Sequence, residues 1–352
     1  MNPGITRPAA LLTRAFSSRA APNTVLFLCL IGLVALFSTQ SESFLTWSNF
    51  KIILTNDAAI GIVVAACTLL IIAGHIDLSV GSNMAFSGTL AALAVVHWGL
   101  PDGLAMAIGV MAGMTVGAVN GLLCALLRMN PIIVTLGMLS VLRGLILLVI
   151  PTDIYGLGDL FNYAGNGEIA GIPILLIAVA LAFGAAAVFV GATVWGRHIY
   201  ALGVNPQAAF FAGLPVRGLP FALYVLTGTA AGSAGVLLVA RLDGSSPGSV
   251  GLQMELQVLT IILLGGVAFA GGTGRIVGVV TAWIFLGVLR NGLTLLNVTP
   301  YFQLVVSGLA LVLAAAFDSV GSTLLPWLDR RRAVRLRLGS PPRASHEGPK
   351  TE

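Results

Sequence analysis

The chain has little charge. Only 9% of its 352 residues are Asp, Glu, Lys or Arg, against roughly 25% in soluble domains, so a water-facing surface of ordinary composition is excluded. Lysine is almost missing, with Lys51 and Lys350 the two occurrences. No G-x-x-x-x-G-K-[ST] loop exists, which excludes nucleotide hydrolysis through a phosphate loop. Cysteine is scarce as well: Cys29, Cys67 and Cys124 sit in apolar runs without C-x-x-C spacing, which argues against a disulfide framework and against a metal site. His75, His97, His198 and His346 are scattered, and no set of nucleophile, base and orienting group can be assembled around them. A membrane-embedded enzyme therefore has no support.

What the chain has in excess is apolar residues, 57% of the total, and 43 glycines, with a mean hydropathy of +0.98. Small residues let membrane helices approach closely where lipid supplies no hydrophobic drive for association. The expected fold is all-α, a polytopic helical membrane bundle. Apolar segments fall at 23–40, 52–73, 80–98, 103–127, 131–150, 171–192, 218–240, 255–271, 276–292 and 301–317, each near the ~20 residues a spanning helix needs. That gives about ten spans within a membrane domain of residues 23–320, between tails at 1–22 and 321–352. No A-x-A-like site follows the first run, so a cleaved signal peptide is not expected.

Orientation follows from the basic residues. With the amino terminus inside, Arg7, Arg14, Arg19, Arg128, Arg197, Arg217, Arg275 and the seven from Arg330 to Lys350 fall on the inner side, 14 of 18, which fixes both termini in the cytoplasm. Glu42, Asp57, Asp102, Asp153, Asp159, Glu168, Asp243 and Glu255 collect outside, either to guide a docking protein or as what remains when positive charge is excluded. The basic tail from Arg330 reads as a stop-transfer and lipid-contacting segment rather than a nucleic-acid site. Asn120-Gly121-Leu122 before Pro131 and Asn291-Gly292-Leu293 before Pro300 lie five spans apart, an odd offset compatible with a 5+5 inverted repeat.

Polar residues inside apolar spans need a reason. Asp77 stands in the interruption 74–82, where it either lines a passage or pairs with a basic residue. Asp57 and Glu255 lie near segment ends, so an ion-coupled carrier is an alternative reading with thin support. Arg143, inside an apolar run, requires a carboxylate or carbonyl partner. His75, Asp77, Ser79, Ser82, Asn83, Asn130, Thr135, Ser140 and Arg143 are the candidates for a translocation route, although hydroxyls and amides in spans also join helices to one another. The cluster Gly265, Gly266, Gly271, Gly272 and Gly274 has no strand before it and reads as close helix packing around a reversal. Residues 193–217 form the longest inner loop. Within it, Asn205, Pro206, Gln207, Ala208, Ala209, Phe210, Phe211 and Gly213 give a turn signal, helix formers and a glycine stop. That is a short exposed helix, resting on headgroups or fitting a groove on a soluble motor, with Arg197 and Arg217 flanking it.

Four blocks, AGHIDLSVGS at 73–82, NPIIVTLGMLSVLRG at 130–144, GRHIYALGVNPQAAFFAG at 196–213 and LLGGVAFAGGTGRIVG at 263–278, make the chain resemble permease subunits of bacterial ATP-binding-cassette importers of the ribose and monosaccharide type. The resemblance covers most of residues 45–320. It implies monosaccharide import across the inner membrane with a second permease copy or close relative, a cytoplasmic ATPase that uses the ATP, and a periplasmic sugar-binding protein. No cofactor on this chain is implied. It also implies that 205–213 is the coupling helix. His75 departs from the glycine common at that place in ribose-type permeases.

Overall fold

The computed structural model describes residues 21–150 and 152–313. The expected tails 1–22 and 321–352, and the end of the last apolar segment, lie almost wholly outside the described residues. The chain is a helical bundle. Among the described residues five helices are long and apolar enough to cross a membrane, or six if one bent pair is a single span.

The first helix, α1 (Ala21–Gln40), is followed by that pair, α2 (Trp47–Asn56) and α3 (Ala58–Ile72), bent by 50° at Asp57. All of α3 is buried, which is how a helix that is apolar all round behaves at the centre of a bundle. It packs against α8 (Ile174–Ala192), α11 (Gly218–Leu242), α12 (Met254–Leu264) and α13 (Ile276–Leu295), whose Leu175, Val179, Ala231, Ile261 and Trp283 share its buried apolar cluster.

The tightest packing joins α11 to α4 (Val80–Val96) and α5 (Asp102–Gly121). A Cβ on Gly113 would come within 2.5 Å of the Gly232 Cα. These backbones are therefore in contact through glycine, as membrane helix interfaces favour. A π-turn at Leu122–Leu126 extends α5. Asn130 then accepts from the amides of Ile132 and Ile133, with Pro131 in the first turn, to start α6 (Pro131–Val149); the cap and the proline both suit a helix N-terminus.

At one end of the bundle lie α7 (Asp159–Asn166), the hairpin of β2 (Glu168–Ile169) and β3 (Ile172–Pro173), and the antiparallel pair of β1 (Ile154–Tyr155) and β4 (Gly244–Ser245). Lys51 and Glu168 form an ion pair of 2.9 Å there, bordering a cavity of about 380 Å³ that Arg241 also lines. At the other end lie α9 (Val194–Val204) and α10 (Pro206–Phe211). The final described helix is α14 (Pro300–Leu313).

Two of the expected segments are shaped differently. The segment 255–271 is helical only over Met254–Leu264, 11 residues, because Gly265 and Gly266 end it. The segment 52–73 is kinked at Asp57. Its carboxylate takes a 2.5 Å bond from Arg290, which also holds Gln257, while the Asp57 carbonyl accepts from the Trp283 indole at 2.9 Å. Asp57, near a segment end as expected, is thus buried between helices. The two NGL signatures make different contacts: Asn120 serves the loop before α4, whereas Asn291 pairs reciprocally with Asn49 at 3.0 and 2.9 Å.

Candidate functional site

Helix α3 ends in a glycine cap. The His75 amide donates to Leu70 and the Gly74 amide to Ile71, with Gly74 at φ +82°, the left-handed residue such a cap requires. The chain then turns inward rather than out. Asp77 is 5% exposed. Its Oδ1 accepts from the Ser79 amide at 2.9 Å and the Ser79 hydroxyl at 2.6 Å. Asn120 of α5 donates to both carboxylate oxygens, at 3.4 and 3.3 Å, and to the Ser79 hydroxyl at 2.8 Å. The carboxylate is thus held by neutral donors, and among the described residues no cation forms a salt bridge with it. Tyr224 donates to the Ile76 carbonyl at 3.1 Å, and its ring meets His75 edge-on at 5.6 Å.

A second irregular stretch runs from Asp243 to Gln253, both with left-handed backbone. Thr89 and Ser245 share a buried 2.7 Å hydroxyl contact. Arg143 of α6 donates to the carbonyls of Val250 at 2.8 Å and Pro247 at 3.3 Å, so its required partners are backbone carbonyls. Non-helical backbone inside a membrane protein persists only where protein or a wet cavity surrounds it. This stretch delivers α12 against the start of α4. A Cβ on Gly81 would overlap the Glu255 carboxylate and come within 2.8 Å of the Gly251 carbonyl oxygen. Two short helices therefore begin side by side within the bundle.

The third feature joins three of the four sequence blocks. The Gly272 amide donates to the Ile72 carbonyl at 2.8 Å, and a Cβ on Gly271 would reach the Gly74 Cα at 2.8 Å. On the other side, Gly272 lies against the Val204 amide, and Tyr200 of α9 donates to the Gly274 carbonyl at 2.8 Å. The end of α3, the glycine loop and α9 thus form one junction, in which backbone meets backbone at Gly74, Gly203, Gly271 and Gly272 and the Tyr200 hydroxyl ties α9 to the loop. Helix α10 follows directly. Asn205 caps it by accepting from the Ala208 amide at 3.0 Å. Ala209 is buried, while Phe210 and Phe211 are 58% and 86% exposed. Arg197 and Arg217 are exposed on either side. Between α10 and the ends of α5 and α6 lies a cleft of about 790 Å³ whose walls include His75, Arg128, Met129, Gln207, Phe210 and Arg217.

The residues proposed from sequence separate into groups. Asp77, Ser79, Ser82, Asn83 and Thr135 are buried; Ser87 donates to the Asn83 amide oxygen at 3.1 Å, and Thr135 bonds the Pro131 carbonyl one turn back. Asn130 and Ser140 are exposed and His75 and Arg143 are half-buried. Gly265, Gly271, Gly272 and Gly274 stand where a Cβ would overlap a neighbour, and Gly266 supplies a positive φ. The sequence reading did not include Asn120, Tyr200, Tyr224 or Arg128 among site residues. Asn120, an amide in an apolar span, carried the one available signal.

Residues 49–315 match the family described as branched-chain amino acid transport system, permease component. The chain belongs to this permease family. It is 36% identical over 297 residues to the ribose import permease protein of Escherichia coli (strain K12), covering 83% of this chain and 92% of that protein. It is similar to the L-arabinose ABC transporter permease protein of Azospirillum brasilense, 35% identical over 308 residues, 86% and 88% of the two chains. It is also similar to the D-allose transport system permease protein of Escherichia coli (strain K12), 34% identical over 300 residues, 83% and 90%. No solved structure matches. Membership fits a multi-pass permease component.

Proposed function

We propose that this chain is the membrane permease of an ATP-driven monosaccharide importer of the bacterial inner membrane. The junction of α9, Gly271–Gly272 and the end of α3 carries the reading. It supplies a path from an exposed helix, which a soluble ATPase can grip, to the buried loop that starts α4. The relatives that transport ribose, L-arabinose and D-allose support a pentose- or hexose-type sugar.

On this reading α10 is the coupling helix, and it faces the cytoplasm with both termini. Arg128, Arg197, Arg217 and Arg275 lie at the α10 end of the chain while Lys51 and Arg241 lie at the other, which supports that orientation. The short helices bring the span count to ten. Helices α4 and α12 lie five spans apart and start beside one another, and a pair of interrupted segments in matching places supports an inverted 5+5 repeat. A second permease chain, identical or homologous, completes the passage. A periplasmic sugar-binding protein docks at the Lys51–Glu168 end, and lipids surround the bundle. The chain binds no cofactor and no nucleic acid; ATP is used by the partner. His75, Asp77, Ser79, Ser82, Asn83, Asn130, Thr135, Ser140 and Arg143 belong to the route or to the helix ends that move around it.

Nucleotide state acts by favouring one of two packings of the helices, and it shifts them only as far as the ATPase binds the two differently. Replacing Phe210 and Phe211 together by Asp tests the assignment of α10. The variant is expected in the membrane at normal yield, without bound ATPase and without ATP-dependent uptake. Normal ATPase retention and uptake would show that another loop couples.

A further inference from the structure

The cleft beside α10 has a feature the coupling helix does not explain. Arg128 and Arg217 are exposed on its walls, and neither guanidinium has a hydrogen bond or ion pair among the described residues. Among the described residues no carboxylate lines the cleft. Its remaining walls combine apolar groups, Met129 and Phe210, with the edge of His75. An occupant that suits this chemistry is acidic and apolar-flanked. The chain's own segment after residue 313 is excess basic, with seven Lys and Arg against Asp318, Asp329, Glu347 and Glu352, so like charge disfavours it.

We propose that the partner ATPase inserts an acidic side chain between apolar ones into this cleft, against Arg128 and Arg217. It then grips the permease at two places, by enclosing Phe211 and by filling the space next to it. The proposal rests on the reading of α10 as the coupling helix. The cleft shares Phe210 and Phe211 with α10, so a surface that encloses the helix adjoins the cleft. Its consequence is mechanical. His75 forms part of the cleft wall and is in edge contact with Tyr224, which bonds the Ile76 carbonyl. An occupant therefore touches the Asp77 loop directly, in parallel with the path through α9 and Gly272. A charged pair that is partly enclosed at an interface governs dissociation and specificity.

The test uses the full chain with the cytoplasmic ATPase that co-purifies with it from its native host. Arg128→Glu and Arg217→Glu are made singly and together, with Arg128→Lys as the charge-preserving control. The double reversal is expected to weaken ATPase affinity at least tenfold while the melting temperature of the permease stays within error and Arg128→Lys binds normally. In a Cys29→Ser/Cys124→Ser background, which also removes the cysteine on the cleft wall, Met129→Cys is expected to react with a membrane-impermeant maleimide at least tenfold more slowly once the ATPase is bound. Unchanged affinity and unchanged labelling on a bound ATPase would overturn the proposal and leave the coupling helix standing. Equal protection of Met129→Cys by phosphatidylglycerol nanodiscs without ATPase, absent in phosphatidylcholine, would overturn it in favour of a lipid headgroup. A wild-type chain that retains no ATPase would overturn both.

Discussion

Gly203→Ala isolates the junction from the rest of the proposed coupling path. Gly203 lies in the last turn of α9, where alanine is the better helix former by about 1 kcal/mol. Its Cβ, however, would fall onto the Ile72 carbonyl oxygen and the Gly272 amide nitrogen, the two ends of a 2.8 Å hydrogen bond. Overpacking costs about 1–3 kcal/mol, and a buried backbone group left unpaired costs about as much again. The packed junction is therefore disfavoured by roughly 3 kcal/mol after the helix gain is subtracted, on the order of a hundredfold in an equilibrium constant. A state in which the junction separates escapes this penalty. The assay is ATP-dependent uptake in proteoliposomes beside ATPase binding. Uptake is expected to fall at least tenfold while the ATPase still binds, because α10 is untouched. Gly213→Ala is the comparator: its φ is +77° with nothing within 4 Å of a Cβ, so its penalty is the left-handed backbone alone, about 1–2 kcal/mol. Wild-type uptake and melting temperature in Gly203→Ala would refute the transmission path.

Other perturbations reach the remaining contacts. Asp77→Asn turns an amide donor toward the Asn120 donors and is expected to lower stability by about 1–3 kcal/mol together with uptake; an unchanged melting curve and unchanged transport would show that the polar knot is idle. Arg290→Met leaves Asp57 buried without its ion partner and is expected to cost about 3–5 kcal/mol, with part recovered in Arg290→Met/Asp57→Asn; strictly additive losses would show that the pair does not hold the α2–α3 kink. Arg143→Ala frees the Pro247 and Val250 carbonyls, so amide exchange across 246–253 is expected to accelerate while α3 stays protected; unchanged exchange would mean that the arginine does not pin this stretch.

Much of the bundle is legible in the sequence because a spanning helix advertises itself by length and hydropathy. Helix α10 is legible for a local reason: Asn205, Pro206 and Gly213 write its start and stop into the residues themselves. The half-length α12 is not, since Met254–Leu264 continues into Val267, Ala268 and Phe269, and hydropathy does not register that Gly265 and Gly266 turn the chain. The Asp77 environment is hidden for another reason. A carboxylate among apolar residues demands partners, but Asn120 lies 43 positions away in sequence, and only the packing of α5 against the loop reveals the pairing. Arg143 shows the same limit, because carbonyls at positions 247 and 250 carry no side-chain signature at all.

Coupled uptake is the most direct measurement. Liposomes containing the chain, its ATPase and the sugar-binding protein are assayed with labelled monosaccharides, with ATP present or withheld and with ion gradients imposed or dissipated. The account predicts accumulation that requires ATP and all three components and is indifferent to proton or sodium gradients. Accumulation by the lone chain, driven by an ion gradient without ATP, would contradict it.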